Sequence, residues 1–355
     1  FGSSCRGFFV ASTSMVSMLP SSSSSRAGLS ASVACGRIFV CGGHDGESPL
    51  RTLEVFEPGP DIDSPGIWKQ MPPMLARRTY LQTVCLEDRI FAIGGSADGR
   101  TLNTIEVFDP TRNSWEYWFT MPPMQTKRTL HGAAIGNGKL FVCGGFDGMR
   151  DMPTMECYDP RANSWQTKNV WNLPIGRSYL ALCTCAGKLY AVGGQDRGRD
   201  SGPRAHQHVE AFDLYSERWL PIAPLATGRL GLTASHIVFD EKDYVYVCGG
   251  SDGSDVLNSV EIYDVEEKTW AAGPPMGVPR LGHAAAVLEG KLYVIGGYDG
   301  KDTLDTFECY DPVKRRWGPV LKISIDTTEP EVLEVLQAKT IDDGLEQTPV
   351  AAVVS

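Results

Sequence analysis

Short apolar runs that stop at a pair of glycines punctuate this chain. The pairs are Gly42-Gly43, Gly94-Gly95, Gly144-Gly145, Gly193-Gly194, Gly249-Gly250 and Gly296-Gly297. The runs themselves (RIFVC, RIFAI, KLFVC, KLYAV, YVYVC, KLYVI) are β-branched and aromatic, which predicts strands ended by sharp turns. Ahead of each comes a small apolar stretch such as HGAAI or GHAAAVL, suited to a crowded strand. Behind each, TIEVFDP, TMECYDP and TFECYDP alternate polar and apolar positions and then reach Asp-Pro, a turn signal. A fourth segment carries a tryptophan. No convincing helical period interrupts these units.

The glycine pairs are spaced by 52, 50, 49, 56 and 47 residues, and three further landmarks keep register with them. An arginine precedes each pair (Arg26, Arg78, Arg128, Arg177, Arg229, Arg280). A glutamate follows (Glu54, Glu106, Glu156, Glu210, Glu261, Glu308), and then a tryptophan (Trp68, Trp115, Trp165, Trp219, Trp270, Trp317). Six such copies are a repeat architecture. A single four-stranded sheet cannot bury both faces, so six sheets stacked round an axis, an all-β six-bladed propeller, are expected. With strands named A to D in chain order, the D–A and B–C connections share one face of the disc and the A–B and C–D connections the other. Residues 1–25 read as a Ser-rich extension or linker, 26–320 as the propeller and 321–355 as an acidic tail. Thr328-Glu329-Pro330-Glu331 in that tail is a helix-start signal. Each blade should be contiguous, with no strand shared between first and last, although Phe8 to Met18 could add at an outer edge.

The double glycines, the Asp-Gly after four of them (Asp45-Gly46, Asp147-Gly148, Asp252-Gly253, Asp299-Gly300), the Glu-x-aromatic-acid triplets and the tryptophans together resemble the kelch repeat, and closely the propellers of the kelch-like family. The second and fourth repeats depart from the pattern at Ser96-Ala97-Asp98-Gly99 and Gln195-Asp196-Arg197-Gly198. The resemblance implies a protein- or peptide-binding module, used for substrate recognition by a cullin-3-type ubiquitin ligase or as a cytoskeletal or assembly scaffold. The absence of an initiator methionine suggests a fragment that lacks an upstream domain such as BTB. Copper-radical oxidases share the architecture, but their paired tyrosines and histidines cannot be assembled here, so an enzyme is not expected.

Composition narrows this further. The 355 residues are 42% hydrophobic and 21% charged, which excludes wholesale disorder. No apolar run reaches the roughly 18 residues of a spanning helix. A net charge of −10 opposes whole-surface attraction to nucleic acid or anionic membrane. About half of it lies in the last 35 residues, where seven acids face two lysines. The ten cysteines recur at equivalent positions of different blades, such as Cys41, Cys143 and Cys248, out of disulfide reach of one another. They are expected to be reduced core residues, which favours the cytoplasm. No Cys-x-x-Cys zinc pattern occurs, and no cofactor or metal is expected. His206 and His208 make a weak two-ligand pair. The recurring arginines, glutamates and tryptophans are expected to pair and pack as scaffold.

Variation between repeats on the D–A/B–C face is the better guide to contact. The resemblance assigns the ligand surface to three classes of position. The residue after each glycine pair is His44, Ser96, Phe146, Gln195, Ser251 or Tyr298. Residues just after Asp-Gly include Arg100, Met149, Arg150, Lys301 and Thr303. The residue after each arginine is Ala27, Thr79, Thr129, Ser178, Leu230 or Leu281. Five extra residues within Asp200 to His208 enlarge the fourth B–C loop and bring Arg197, Arg199 and Arg204, so an acidic peptide segment is the expected partner. The insertions at Pro58 to Gly66 and Asp240 to Asp243 decorate the opposite face.

Overall fold

The computed structural model describes residues 25–116, 121–198 and 202–326. Six blades, each with four antiparallel strands from one stretch of chain, appear in chain order, and the sheets of blades one and six each carry a fifth strand. Strand A is Ser30–Ala34, Gln82–Leu86, Gly132–Gly136, Ala181–Cys185, Thr233–Phe239 and Ala284–Leu288 in blades one to six. The A strands of neighbouring blades contact one another round the ring, and D strands lie outermost. The core is divided accordingly. Six apolar clusters each join two adjacent blades, for example Leu140, Val142 and Tyr158 of blade three against Ile93, Ile105 and Val107 of blade two.

The landmarks owe their register to inter-blade bonds. The second glycine of each pair donates its N–H to the carbonyl of the next blade's arginine, from Gly43 to Arg78 (2.9 Å) round to Gly297 and Arg26 (2.8 Å). At Gly94, the first glycine of a pair, φ is +55° and a Cβ would lie 2.6 Å from that carbonyl. A side chain there would force the blades apart. The arginine turns back into its own blade. Arg128 donates to Glu156 (2.8 Å), to the Gly144 carbonyl (2.7 Å) and to Thr154, with both charged groups fully buried. Arg26–Glu54 and Arg177–Glu210 are close pairs of the same kind, so the six arginines and glutamates are scaffold ion pairs. The tryptophan indole reaches the previous blade: Trp115 donates to the Pro72 carbonyl (2.7 Å), Trp165 to Pro122, Trp219 to Trp171, Trp270 to Ala223 and Trp317 to Pro274. Trp68 is buried, and its indole N–H is unpartnered at the seam between blades six and one.

That seam is where the chain does something the repeats do not encode. After blade six, Leu321–Lys322 pairs with strand C of its own blade, and Ile325–Asp326 adds in parallel to Ile67–Met71, the outer strand of blade one. Ile323 between them is buried against Phe56 and Trp68. The outer edge of blade one is therefore covered by a strand from beyond blade six, which corrects the expectation that the first and last blades share no strand and carries the sheets past 320 to Asp326. Phe8 to Met18 and the signal at 328–331 lie outside the described residues. The nine described cysteines are all free. Among the described residues no helix is long and apolar enough to cross a membrane.

Candidate binding face

The D–A and B–C connections meet in a ring of paired bridges. Ala27 pairs with His44, Thr79 with Ser96, Thr129 with Phe146, Ser178 with Gln195, Leu230 with Ser251 and Leu281 with Tyr298. Two of the three classes of expected contact residue are thus joined pairwise. Their accessibility differs sharply, however. Thr79, Thr129, Ser178 and Gln195 are buried, so their side chains lie beneath the surface, while His44, Phe146 and Tyr298 are half-buried with part of each side chain outward. The bridges themselves are alike, with two-way backbone bonds at 2.7–3.0 Å in all six blades, so the difference lies in what surrounds each side chain.

Above the ring stand the B–C tips. Asp45, Asp147, Asp252 and Asp299 each accept two backbone N–H bonds from the tip they precede, so the Asp-Gly pattern builds rigid turns. Those N–H donors hold the Asp252 and Asp299 carboxyls below the usual range. The tips expose Arg100, Met149, Arg150 and Lys301, and Met149 is 88% exposed. In blade four the enlarged loop is a hairpin of Gln195–Gly198 and Gly202–Ala205. Arg204 on it is exposed, Arg197 pairs through its backbone with Pro203, and Arg199 lies outside the described residues. Charge is unevenly spread. Arg77, Arg100, Lys127, Arg150 and Arg204 stand exposed on or beside blades two to four with Asp98 among them, whereas the loops of blades one, five and six mix Glu47, Asp255 and Asp302 with Arg51 and Lys301.

Nearer the axis lies a ring that the sequence reading did not single out. Two residues after each arginine come Gly28, Tyr80, Leu130, Tyr179, Gly231 and Gly282, all with φ between +53° and +66°. Each donates its N–H to the carbonyl of the one before, from Tyr80 to Gly28 (2.7 Å) round to Gly28 and Gly282 (2.7 Å), which closes a cycle of six bonds. Glycine adopts this backbone freely, whereas a side chain costs about 1–2 kcal/mol there. Tyr80, Leu130 and Tyr179 accept that cost, and the two tyrosine rings meet edge to face at 5.6 Å. Together with His131, His283 and Leu180 they line the depression at the centre of the face. The bulky half of this ring falls on blades two to four, beneath the basic half of the rim. Gly28, Gly231 and Gly282 leave the other half open. The only clue in the sequence was position, since Gly, Tyr and Leu share no chemistry.

His131 and His283 are core residues. Burial holds both imidazoles neutral, with pKa near 3. His206 is buried against Asp196 (3.2 Å), and its ring lies 5.2 Å from that of His208. No three-ligand cluster forms there among the described residues.

Comparisons with known proteins agree with this geometry. The chain matches the KLHDC2/KLHL20/DRC7 Kelch-repeats domain over residues 66–227 and 157–334, and the Kelch motif over 25–75. Kelch-like protein 36 of Rattus norvegicus is 25% identical over 264 residues, covering 71% of this chain and 40% of that protein. Human Kelch-like protein 33 is 35% identical over 105 residues, 30% of this chain and 19% of that one. Kelch repeat and BTB domain-containing protein 8 of Xenopus tropicalis is 33% identical over 118 residues, 31% of this chain and 19% of that one. The chain thus spans about 40% or less of the length of these relatives. Among solved structures, "Structure of YjhT" superposes with a TM-score of 0.68 at 13% identity, over 86% of this chain and 99% of that one, a likeness of fold.

Proposed function

The chain belongs to the kelch-repeat family of β-propellers, and from that premise we propose that it is a protein-interaction module whose D–A/B–C face binds an acidic peptide segment of its partner. The observation that carries this reading is the coincidence, on blades two to four, of strained aromatic side chains at the centre with basic side chains at the rim. Tyr80 and Tyr179 occupy left-handed backbone where three other blades use glycine, a cost that folding does not require and binding explains. Arg100, Lys127, Arg150 and Arg204 surround them with exposed positive charge. Aromatic anchors supply affinity, and the cations set orientation and on-rate. The peptide lies over blades two to four with its acidic residues outward, and Phe146 and Met149 grip its apolar side.

Beside a BTB domain, such as the one named in the Xenopus relative, this face would select substrates for a cullin-3-type ubiquitin ligase. The work is binding, and no catalytic step is assigned. Nine free cysteines among the described residues support a reducing compartment, the cytoplasm, and burial, which pushes the Cys41, Cys143 and Cys248 thiols up to about 12, keeps them inert packing groups.

A displayed library of random peptides tests this directly. Selected sequences should be enriched in Asp and Glu beside an apolar residue. Their affinity should fall roughly 10- to 100-fold on Tyr179→Ala or Phe146→Ala, and should fall on Arg150→Glu more at low salt than at high salt. Enrichment of basic sequences, or affinity indifferent to all three substitutions, would reject the reading.

A further inference from the structure

On the opposite face, the A–B hairpin of blade five is longer than the others. Its strands, Thr233–Phe239 and Lys242–Cys248, are seven residues each where the other blades have five. Asp240 and Glu241 at its tip turn with positive φ. The lengthening places Asp243 opposite Val238 and within reach of His236, whose Nε2 stands 2.6 Å from the Asp243 Oδ1. The last residue of strand A in blade four, Cys185, faces this pair from across the inter-blade boundary. Cys185 Sγ, a His236 ring nitrogen and an Asp243 carboxylate oxygen all lie within 4.8 Å of one another.

The identity of these residues departs from the repeat in a directed way. Where blade four ends strand A with Cys185 against His236, three of the five other boundaries place aliphatic pairs at the same register, Leu86 with Ile135, Ile237 with Val287 and Leu288 with Val33, and the remaining two place Ala34 with Cys85 and Gly136 with Thr184. Among the described residues no other boundary brings a thiol, an imidazole and a carboxylate together, and the carboxylate here comes from an inserted turn. We propose that Cys185, His236 and Asp243 bind a zinc-class divalent transition metal.

The donor set suits such an ion. Thiolate sulfur, imidazole nitrogen and one carboxylate oxygen are borderline to soft ligands of a tetrahedral Zn²⁺, with bonds of about 2.0–2.3 Å. Ligand atoms would then lie roughly 3.5 Å apart, so closure from the observed spread asks for shifts on the order of 1 Å. Cys185 is buried, whereas His236 and Asp243 are each about one-third exposed or more (side chains 31% and 40%). An ion can therefore enter from solvent, with a water in the fourth position. Binding replaces the His236–Asp243 hydrogen bond and the thiol S–H bond with bonds to the metal. The thiol proton is released to solvent; burial and then the Asp243 carboxylate hold it on, pushing the thiol up to about 12, and Lys188, opposite Cys185 in the blade-four hairpin, opposes them. No electron transfer is involved. Spacing along the chain does not reveal this set, because its members come from two blades.

The test is titration of the reduced, metal-free chain with Co²⁺ at neutral pH, read by its thiolate-to-cobalt charge-transfer band and visible tetrahedral bands. One equivalent should saturate the signal, and one equivalent of Zn²⁺ should abolish it with release of a proton. Cys185→Ser should lose the charge-transfer band, and His236→Val, which places there the residue of blades one and six, should lose stoichiometric binding. Asp243→Asn, on the solvent-facing hairpin, provides a variant that keeps the fold and should weaken binding at least about tenfold. Absence of a band at one equivalent in the intact chain would overturn the assignment. So would a band that persists in Cys185→Ser, or affinity unchanged in Asp243→Asn.

Discussion

Replacing Glu156 by Ala should cost more than replacing Glu210 by Ala, although both remove the carboxylate of a buried ion pair. In blade three, Glu156 accepts from Arg128 Nε and Nη2 (3.2 and 2.8 Å) and from the backbone N–H groups of Gln125 and Thr126 in the incoming linker (2.7 and 3.0 Å). In blade four, Glu210 accepts two bonds from Arg177, whose Nε is buried without a partner. The linker there is built differently, around the short turn Asn169–Trp171. Either substitution strands a buried guanidinium, worth about 3–5 kcal/mol. Glu156→Ala also frees two partly exposed amides, worth about 1 kcal/mol each at most. The expected difference is therefore about 1–2 kcal/mol. With a urea slope of about 3 kcal/mol/M, the two midpoints should differ by about 0.3–0.7 M, with Glu156→Ala the lower. Tryptophan fluorescence reads both transitions. A Glu210→Ala midpoint at or below that of Glu156→Ala would refute the claim that this glutamate ties the linker to the blade.

Two further outcomes follow from the same bonding. His131 and His283 titrate near 3 when folded and near 6.5 when unfolded, so the unfolded chain binds more protons between these values. Stability should accordingly fall as pH drops from 6.5 toward 3, by about 2 kcal/mol per histidine at pH 5, and His131→Leu should flatten the melting-temperature profile over pH 5–7; an unchanged slope would contradict this. At the seam, Ile323→Ala should cost about 2–4 kcal/mol in urea unfolding, because its side chain packs under the parallel strand that covers blade one. A cost below about 0.5 kcal/mol would mean that this strand adds nothing to closure.

The fold was legible because its four landmarks recur once in every blade, and recurrence is visible in sequence. The glycine pair and the indole bond to a neighbouring blade, while the buried arginine and glutamate pair within their own. The antiparallel alternation likewise assigned each insertion to a face, and the fourth B–C insertion is a hairpin where one was expected to enlarge the surface. What escaped was whatever does not recur. The parallel strand at Ile325–Asp326 occurs once, at the seam. The inner ring holds one backbone conformation with glycine, tyrosine or leucine, so no residue type marks it. Burial of Thr79, Thr129, Ser178 and Gln195 escaped for a different reason. Position in the repeat named the loops and their bridges, but side-chain depth depends on the neighbours each blade places round the residue.

The central claim, that partners dock on the D–A/B–C face, is tested most directly by photo-crosslinking from two positions of similar exposure on opposite faces. Met149 stands on a B–C tip at 88% exposed, and Tyr215 on a C–D loop at 98%. A photoreactive amino acid at either site leaves the core untouched. In extract from the native source, the account predicts discrete covalent adducts from position 149, displaced by an excess of a selected acidic peptide, and no displaceable adduct from position 215. Displaceable adducts from position 215 alone would put the binding surface on the other face.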